Sequence, residues 1–186
     1  MTAFVSREDQ DDIAAILRGD EAAAQRLYAR YEPPVSQQIW RFTRDPHRHQ
    51  ELVQEVFVQI FMNLAKFRGK APFLHWMRRI ATHAGYRFWK REAREKERTK
   101  SLQQEQRSDP VATAPETPSE AAEQLHGLLA RLKPDHRLVL TLFYFDECDV
   151  REIAERTGWS LSKVKVCNLR ARAKLKQLLE EAGYER

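Results

Sequence analysis

The chain of 186 residues has little cysteine and no long apolar run. Its two cysteines, Cys148 and Cys167, are too few for the disulfide framework of a small secreted domain and fit a reducing compartment. No apolar run approaches the roughly 18–20 residues that a membrane-spanning helix needs. The N-terminus also lacks the apolar core of a signal peptide. The sequence therefore predicts a cytoplasmic protein that is not inserted in a membrane.

Acidic residues are missing from two long segments, although the whole chain carries 32 Lys and Arg against 27 Asp and Glu, a net charge of +5. Residues 64–91 contain eight basic and six aromatic side chains and no acid. Residues 160–179 contain six basic side chains and again no acid. Each charge run alone could be a solvated helix face. Basic residues interleaved with aromatics, without compensating acids, are typical of nucleic-acid-binding surfaces.

No segment alternates apolar and polar residues over the length of a strand, so the sequence predicts no sheet. Apolar residues instead recur at spacings of three and four, which indicates amphipathic helices. Pro33-Pro34 is expected to end a helix, because neither proline can continue one. The sequence predicts an all-α fold of two small helical domains, residues 1–94 and 119–186, joined by a flexible proline-bearing linker at residues 95–118.

The C-terminal domain has the pattern of a helix-turn-helix. Asp149 and Glu152 can form a capping box, Gly158 suits a left-handed helix end, and Ser160 can cap the next helix. In this motif the N-terminal part of the second helix lies in the major groove of DNA. A helical hairpin that does not bind DNA is the alternative. The geometry selects as reading positions Ser162, Lys163, Lys165, Val166, Leu169 and Arg170.

Several blocks of the chain match a known family in the family's order. Glu51-Leu-Val-Gln-Glu-Val-Phe57, Phe67-Arg-Gly-Lys-Ala-Pro-Phe73 and Trp76-Met-Arg-Arg-Ile-Ala81 resemble the second conserved region of extracytoplasmic-function (ECF) sigma factors of the sigma-70 family. The segment from Leu129-Ala-Arg-Leu-Lys-Pro134 through Tyr144, then Ile153-Ala-Glu155 and Arg170-Ala-Arg172, resembles their fourth region. The resemblance covers about residues 11–92 and 119–180.

The resemblance implies an alternative sigma factor, not an enzyme, that binds core RNA polymerase, recognises the −35 and −10 promoter elements and helps to open DNA. It implies an anti-sigma factor as a further partner. The implied polymerase-binding residues are Glu51, Leu52, Gln54, Glu55 and Val56, and Arg172 joins the −35 reading positions. Opening DNA requires cations and ring faces that hold a single strand. The implied −10 contacts are Arg78, Arg79, His83, Tyr86, Arg87, Trp89, Lys90 and Arg91.

Three positions depart from the family pattern. Arg48-His49-Gln50 stands where the family usually has an acidic cluster, which bears on polymerase binding or its control. His83 stands where the family often has an asparagine that helps to capture a flipped base. In the recognition helix, Cys167 and Asn168 replace a basic and an aliphatic residue.

Two other function classes have less support. His47 and His49 are expected in a loop, and their spacing from the cysteines matches no zinc-finger pattern, so we expect no metal. The chain has no Gly-rich phosphate loop and no nucleophile elbow, and nothing predicts a cofactor. A conventional helix-turn-helix regulator with an N-terminal interaction domain remains the alternative, but it leaves the acid-free aromatic segment unexplained.

Overall fold

The computed structural model describes residues 5–102 and 118–184, except for the side chains of residues 100–102 and 118–121. Within these ranges every regular element is helical, which confirms the all-α prediction. None of the helices described is both long and apolar enough to span a membrane. The elements are α1 (Arg7–Ile16), α2 (Glu21–Ile39), α3 (Pro46–Asn63), a 3-10 turn (Leu64–Lys66), α4 (Phe73–Leu102), α5 (Pro118–Ala130), α6 (Pro134–Tyr144), α7 (Val150–Thr157) and α8 (Leu161–Glu181).

The prediction that Pro33-Pro34 ends a helix is wrong, because α2 runs through both prolines. An interior proline costs a helix about 3 kcal/mol. Tertiary packing outweighs this cost, since Leu27 before the prolines and Val35 and Ile39 after them are fully buried. A sequence pattern shows the local penalty but not the burial that compensates for it.

The chain divides into two compact units, Met1–Phe88 and Trp89–Arg186. The division falls inside α4, which continues through Leu102 as helix where the sequence led us to expect a linker from residue 95. Residues 103–117 of the predicted linker lie outside the described residues. The boundaries at residues 94 and 119 therefore stay predictions.

An ion-pair network fastens α1 to α2 in the first unit. Arg30 contacts Asp9 at 2.7 Å and Asp12 at 2.9 Å, and Arg26 contacts Asp12 at 2.6 Å. The hydroxyl of Tyr31 donates to Asp9 at 2.8 Å. Both carboxylates are buried. Burial alone would raise the pKa of Asp12, but the hydrogen bonds from Arg26 and Arg30 hold that pKa below its ordinary value.

The core of the first unit includes a close approach between α4 and Phe42. A Cβ atom placed on Gly85 would lie 2.2 Å from Cδ1 of the Phe42 ring, which is itself 2% exposed. Gly85 therefore serves close packing, since only a residue without a Cβ fits here. Gly127 in α5 differs, because an added Cβ would meet no atom within 4 Å.

Replacing Gly85 by alanine is expected to lower the free energy of unfolding of the first unit by about 1–2 kcal/mol, because overpacking outweighs the helix-propensity gain of about 1 kcal/mol. The matched variant Gly127→Ala should raise the stability of the second unit by about 0.5–1 kcal/mol, since nothing opposes the gain. Thermal unfolding followed by circular dichroism measures both. A stabilised Gly85→Ala variant would contradict the packing argument.

The second unit is built around α6 and α8. A buried cluster of Leu129, Leu132, Leu140, Ala171 and Leu178 joins α5, α6 and α8. α7 packs against α8, and all six basic side chains of α8 are exposed.

Candidate nucleic-acid interface

The predicted polymerase-binding residues lie on two sides of α3. Glu51 and Gln54 are exposed and Glu55 is half-buried, so these three polar side chains share the outer face of the helix. Leu52 and Val56 are buried in the core of the first unit. These two apolar residues position the helix, while the polar residues form its accessible surface.

Two exposed apolar residues extend that outer face and were missed by the sequence analysis. Val58 is 56% exposed and Met62 is 77% exposed. They follow Gln54 and Glu55 at helical spacings of three, four and seven residues, so they lie on the same side of α3. Val58 and Met62 belong to an apolar run whose other members, such as Phe57 and Ile60, are buried. Their helical positions relative to those residues were the signal that could have identified them as exposed.

His47 and His49 lie in the first turns of α3, so the expectation that they lie in a loop is wrong. The carboxylate of Asp45 accepts from the backbone of His47 at 2.8 Å and of Arg48 at 3.2 Å, and thereby caps the helix. His49 is buried and stacks on Trp40 with ring centroids 3.9 Å apart. The His49 ring is therefore part of the packing between α2 and α3.

A basic face of α4 carries several of the predicted −10 contacts. Arg79 and Arg87 are exposed and His83 is half-buried, and their spacing of four places them along one side of the helix. Of the other candidates, Arg78 and Tyr86 are half-buried, and Lys90 and Arg91 are exposed in the part of α4 that belongs to the second unit.

His83 presents a neutral ring on this face. Its burial and the positive charges of Arg79 and Arg87 lower the pKa of the imidazole. The ring is therefore uncharged near neutral pH. In that form it can stack on a base and both donate and accept hydrogen bonds.

The faces of α3 and α4 are joined by an ion pair. Arg87 Nη2 lies 3.0 Å from Glu55 Oε1, which also accepts from Gln59 at 3.0 Å. Because both charged side chains are partly exposed, this pair contributes little stability. Its effect is to orient Arg87 beside the outer surface of α3.

Trp89 differs from the other −10 candidates because it is buried, with 2% of its surface exposed. The guanidinium carbon of Arg137 lies 4.0 Å from the Trp89 ring centroid. The ring is thus covered within the second unit and does not face solvent as Arg79 and Arg87 do.

The predicted helix-turn-helix is confirmed in its local geometry. The Asp149 carboxylate accepts from the backbone of Glu152 at 2.8 Å, and the Glu152 carboxylate accepts from the backbone of Asp149 at 2.8 Å. Gly158 ends α7 in the left-handed region at φ 73°. The Ser160 hydroxyl accepts from the backbone of Lys163 at 3.2 Å, which begins α8.

All seven predicted −35 positions lie on the exposed surface of α8. Leu169 is 73% exposed, and an apolar side chain so placed can contact a thymine methyl group in the major groove. Basic side chains beside it can contact phosphates or base edges. These positions are Ser162, Lys163, Lys165, Val166, Leu169, Arg170 and Arg172.

Cys167 and Asn168, neighbours in α8, differ in burial. Cys167 is buried on the inner side of α8, and its thiol donates to the Asp135 carbonyl at 3.4 Å. Asn168 is half-buried. The structure therefore makes Cys167 part of the helix packing. Among the described residues, no group of three or more His, Cys, Asp or Glu side chains is placed to hold a metal ion.

Comparison with known proteins matches both units. The family model described as Sigma-70 region 2 matches residues 27–95, and the model described as Sigma-70, region 4 matches residues 122–175. The RNA polymerase sigma factor YlaC of Bacillus subtilis is 32% identical over 163 residues, which cover 86% of this chain and 93% of the relative. The ECF RNA polymerase sigma factor SigW of the same species is 24% identical over 178 residues, which cover 91% and 95%.

Solved structures share the fold. CnrH, in complex with the cytosolic domain of CnrY, has 24% identity and a TM-score of 0.60 and covers 94% of this chain and 98% of its own. The sigma factor RpoE of Bartonella quintana, in complex with the anti-sigma factor NepR, has 17% identity and a TM-score of 0.58, with 84% and 96% covered. Because the family models match the first unit as well as the helix-turn-helix, a conventional regulator with an unrelated N-terminal domain is set aside. The chain belongs to the extracytoplasmic-function sigma factors of the sigma-70 family, the alternative sigma factors that recognise promoters in transcription initiation.

Proposed function

We propose that this sigma factor divides its work among three helices: α3 binds core RNA polymerase, α4 holds the melted strand of the −10 element, and α8 reads the −35 element as duplex. The observation that carries this proposal is the exposure of all seven −35 positions on one basic helix that is capped and turned as a recognition helix. The other two assignments follow from the chemistry of the faces of α3 and α4.

The outer face of α3 suits a protein partner. It combines the polar side chains of Glu51, Gln54 and Glu55 with the exposed apolar side chains of Val58 and Met62. An apolar centre with a polar surround is the usual composition of a protein–protein interface. We therefore add Val58 and Met62 to the polymerase-binding residues, with Leu52 and Val56 supporting them from inside.

The exposed face of α4 suits a single DNA strand. Arg79 and Arg87 supply cations for phosphates, and the neutral His83 ring between them supplies a surface for an unstacked base. Stacking on a ring contributes about 1–3 kcal/mol per base. Positive charge alone would bind any polyanion, so the ring supplies the selectivity for unpaired bases.

The proposed partners are core RNA polymerase, promoter DNA and an anti-sigma factor, and the proposed place of action is the cytoplasm. The similar sigma factor RpoE was solved in complex with the anti-sigma factor NepR, and CnrH was solved in complex with the cytosolic domain of CnrY, which supports an anti-sigma partner here. Polymerisation of RNA belongs to the core enzyme, so we assign this chain binding and DNA opening without catalysis of its own.

Transcription from purified bacterial core polymerase tests the function. Added to core alone, the full chain should produce discrete transcripts from a library of genomic fragments, because a sigma factor supplies promoter recognition. Random initiation only, at any ratio of chain to core, would contradict it.

The α3 assignment is tested by the variant Met62→Glu, whose binding to core polymerase is measured from the concentration of chain that gives half-maximal transcription in the same assay. Placing a charge on the apolar part of the face should weaken core binding by about tenfold. The control Gln37→Glu adds the same charge at an exposed position of α2. Equal loss of core binding in both variants would overturn the assignment of α3. The assignment of promoter recognition to α8 would not be affected by that result.

A further inference from the structure

Trp89 and Arg137 form a buried pair in the second unit. Trp89 in α4 is 2% exposed and Arg137 in α6 is 7% exposed. The guanidinium lies over the indole at 4.0 Å, and Arg137 Nη2 contacts His126 Nε2 of α5 at 3.2 Å. One arginine therefore connects the middle of α4 to α5 and α6, the helices that precede the helix-turn-helix.

The position of Arg137 is electrostatically unusual. Burial lowers the pKa of the guanidinium to about 10, and the negative charge of Glu92 opposes that effect. The two direct contacts of the group are with an indole ring and an imidazole nitrogen. The cation–π interaction with the indole stabilises this buried guanidinium. A DNA phosphate would stabilise it in a different way, by accepting charge-assisted hydrogen bonds.

The indole is also a group that single-stranded DNA would use. A base and a guanidinium both stack on the face of an aromatic ring, and the two interactions are of similar strength. While Arg137 covers Trp89, a base has no access to that ring. Displacement of Arg137 would expose an aromatic ring and free a cation within reach of the same strand.

We propose that Arg137 covers Trp89 in the free protein and is exchanged for single-stranded DNA, with a base stacking on the indole and a backbone phosphate accepting the guanidinium. The inference rests on the proposed function, in which α4 holds the melted strand. The Arg137 guanidinium competes with a DNA base for the Trp89 ring. The free chain therefore binds single-stranded DNA less tightly than it would if the ring were open.

Binding of a fluorescent A/T-rich single-stranded oligonucleotide to the full chain tests the competition. Arg137→Gln should bind the strand about tenfold more tightly than wild type, despite losing a positive charge, because the ring becomes available. Arg131→Gln is the matched control, since Arg131 is exposed and pairs with Glu181 at 3.2 Å. Loss of the same charge there should leave affinity unchanged or slightly reduced. Weaker binding by both variants would overturn the proposal.

A second measurement needs no substitution at Arg137. Protein labelled with 5-fluorotryptophan carries four fluorine resonances, one for each tryptophan, and Trp89→Phe assigns the one of interest. Adding the oligonucleotide to wild type should shift the Trp89 resonance, while Trp40, which stacks on His49 in the first unit, serves as an internal reference. An unchanged Trp89 resonance at saturating oligonucleotide would overturn the exchange. If the wild-type chain still directs transcription with core polymerase, only the Arg137–Trp89 inference falls; absence of transcription would instead contradict the proposed function.

Discussion

Replacing Lys165 and Arg170 together by alanine is expected to reduce promoter-directed transcription by about 100-fold. Both side chains are exposed on the N-terminal half of α8, the part of a recognition helix that lies in the major groove. A good contact to a base edge contributes roughly 1–3 kcal/mol of discrimination, so two such losses multiply to about this factor. Transcription from the native promoter is measured for the variant and for wild type. Binding of each protein to the native duplex is then compared with its binding to the same duplex with a scrambled −35 element.

The matched control is Lys174→Ala with Lys176→Ala. These two side chains are exposed on the same helix but lie towards its C-terminus. Replacing them removes the same charge as replacing Lys165 and Arg170. Loss of Lys174 and Lys176 should weaken binding to native and scrambled duplex alike and reduce the slope of log affinity against log salt by about 0.9 for each lost phosphate contact. If the control pair lost as much discrimination as the test pair, the assignment of the reading positions would fail.

Replacing Arg30 by alanine is expected to lower the free energy of unfolding of the first unit by about 3 kcal/mol or more. The substitution leaves the buried Asp9 without the arginine that contacts it and leaves the buried Asp12 with Arg26 alone, and a buried charge that loses its partner is costly. Urea unfolding measures the loss, and hydrogen exchange should show that the amides of α1 lose protection first.

Arg26→Ala is the control for the same network. Arg26 also contacts Asp12, but its side chain is largely exposed, so its loss should cost about 1 kcal/mol or less. Equal destabilisation by the two variants would show that the network acts through surface charge and not through burial.

The network also fixes the sign of an acid dependence. The pKa of Asp12 is lower in the folded chain than its ordinary value, so its contribution is present above the unfolded pKa and is lost as pH falls through the folded value. The melting temperature of wild type should therefore decrease as the pH is lowered below about 4. Arg30→Ala should show a smaller fall, because the group that lowers the pKa has been removed.

The sequence predicted the helix-turn-helix almost completely, because its signals are local. The capping box needs only Asp149 and Glu152 three residues apart, and the turn needs a glycine that accepts positive φ at position 158. The exposure of the reading positions followed from helical periodicity once the buried side of α8, marked by Val164, Cys167 and Ala171, was opposite them.

The sequence was a poorer guide where tertiary contacts compete with local preference. It placed a helix end at Pro33-Pro34, where burial of Val35 and Ile39 keeps the helix going. It grouped Trp89 with exposed cations, whereas Arg137, 48 residues further along the chain, covers the ring. It also did not separate Val58 and Met62 from the buried members of the same apolar run.

The amino-acid sequence by itself determined the helical class, the recognition helix and the two acid-free basic segments of this sigma factor. Each depends on side chains a few residues apart, and their spacing fixes which face of a helix they share. Only the tertiary structure decided which of those side chains remain accessible. Accessibility depends on residues distant in the chain, as with the Arg137 guanidinium on Trp89 and the Phe42 ring on Gly85, and no local pattern records such contacts.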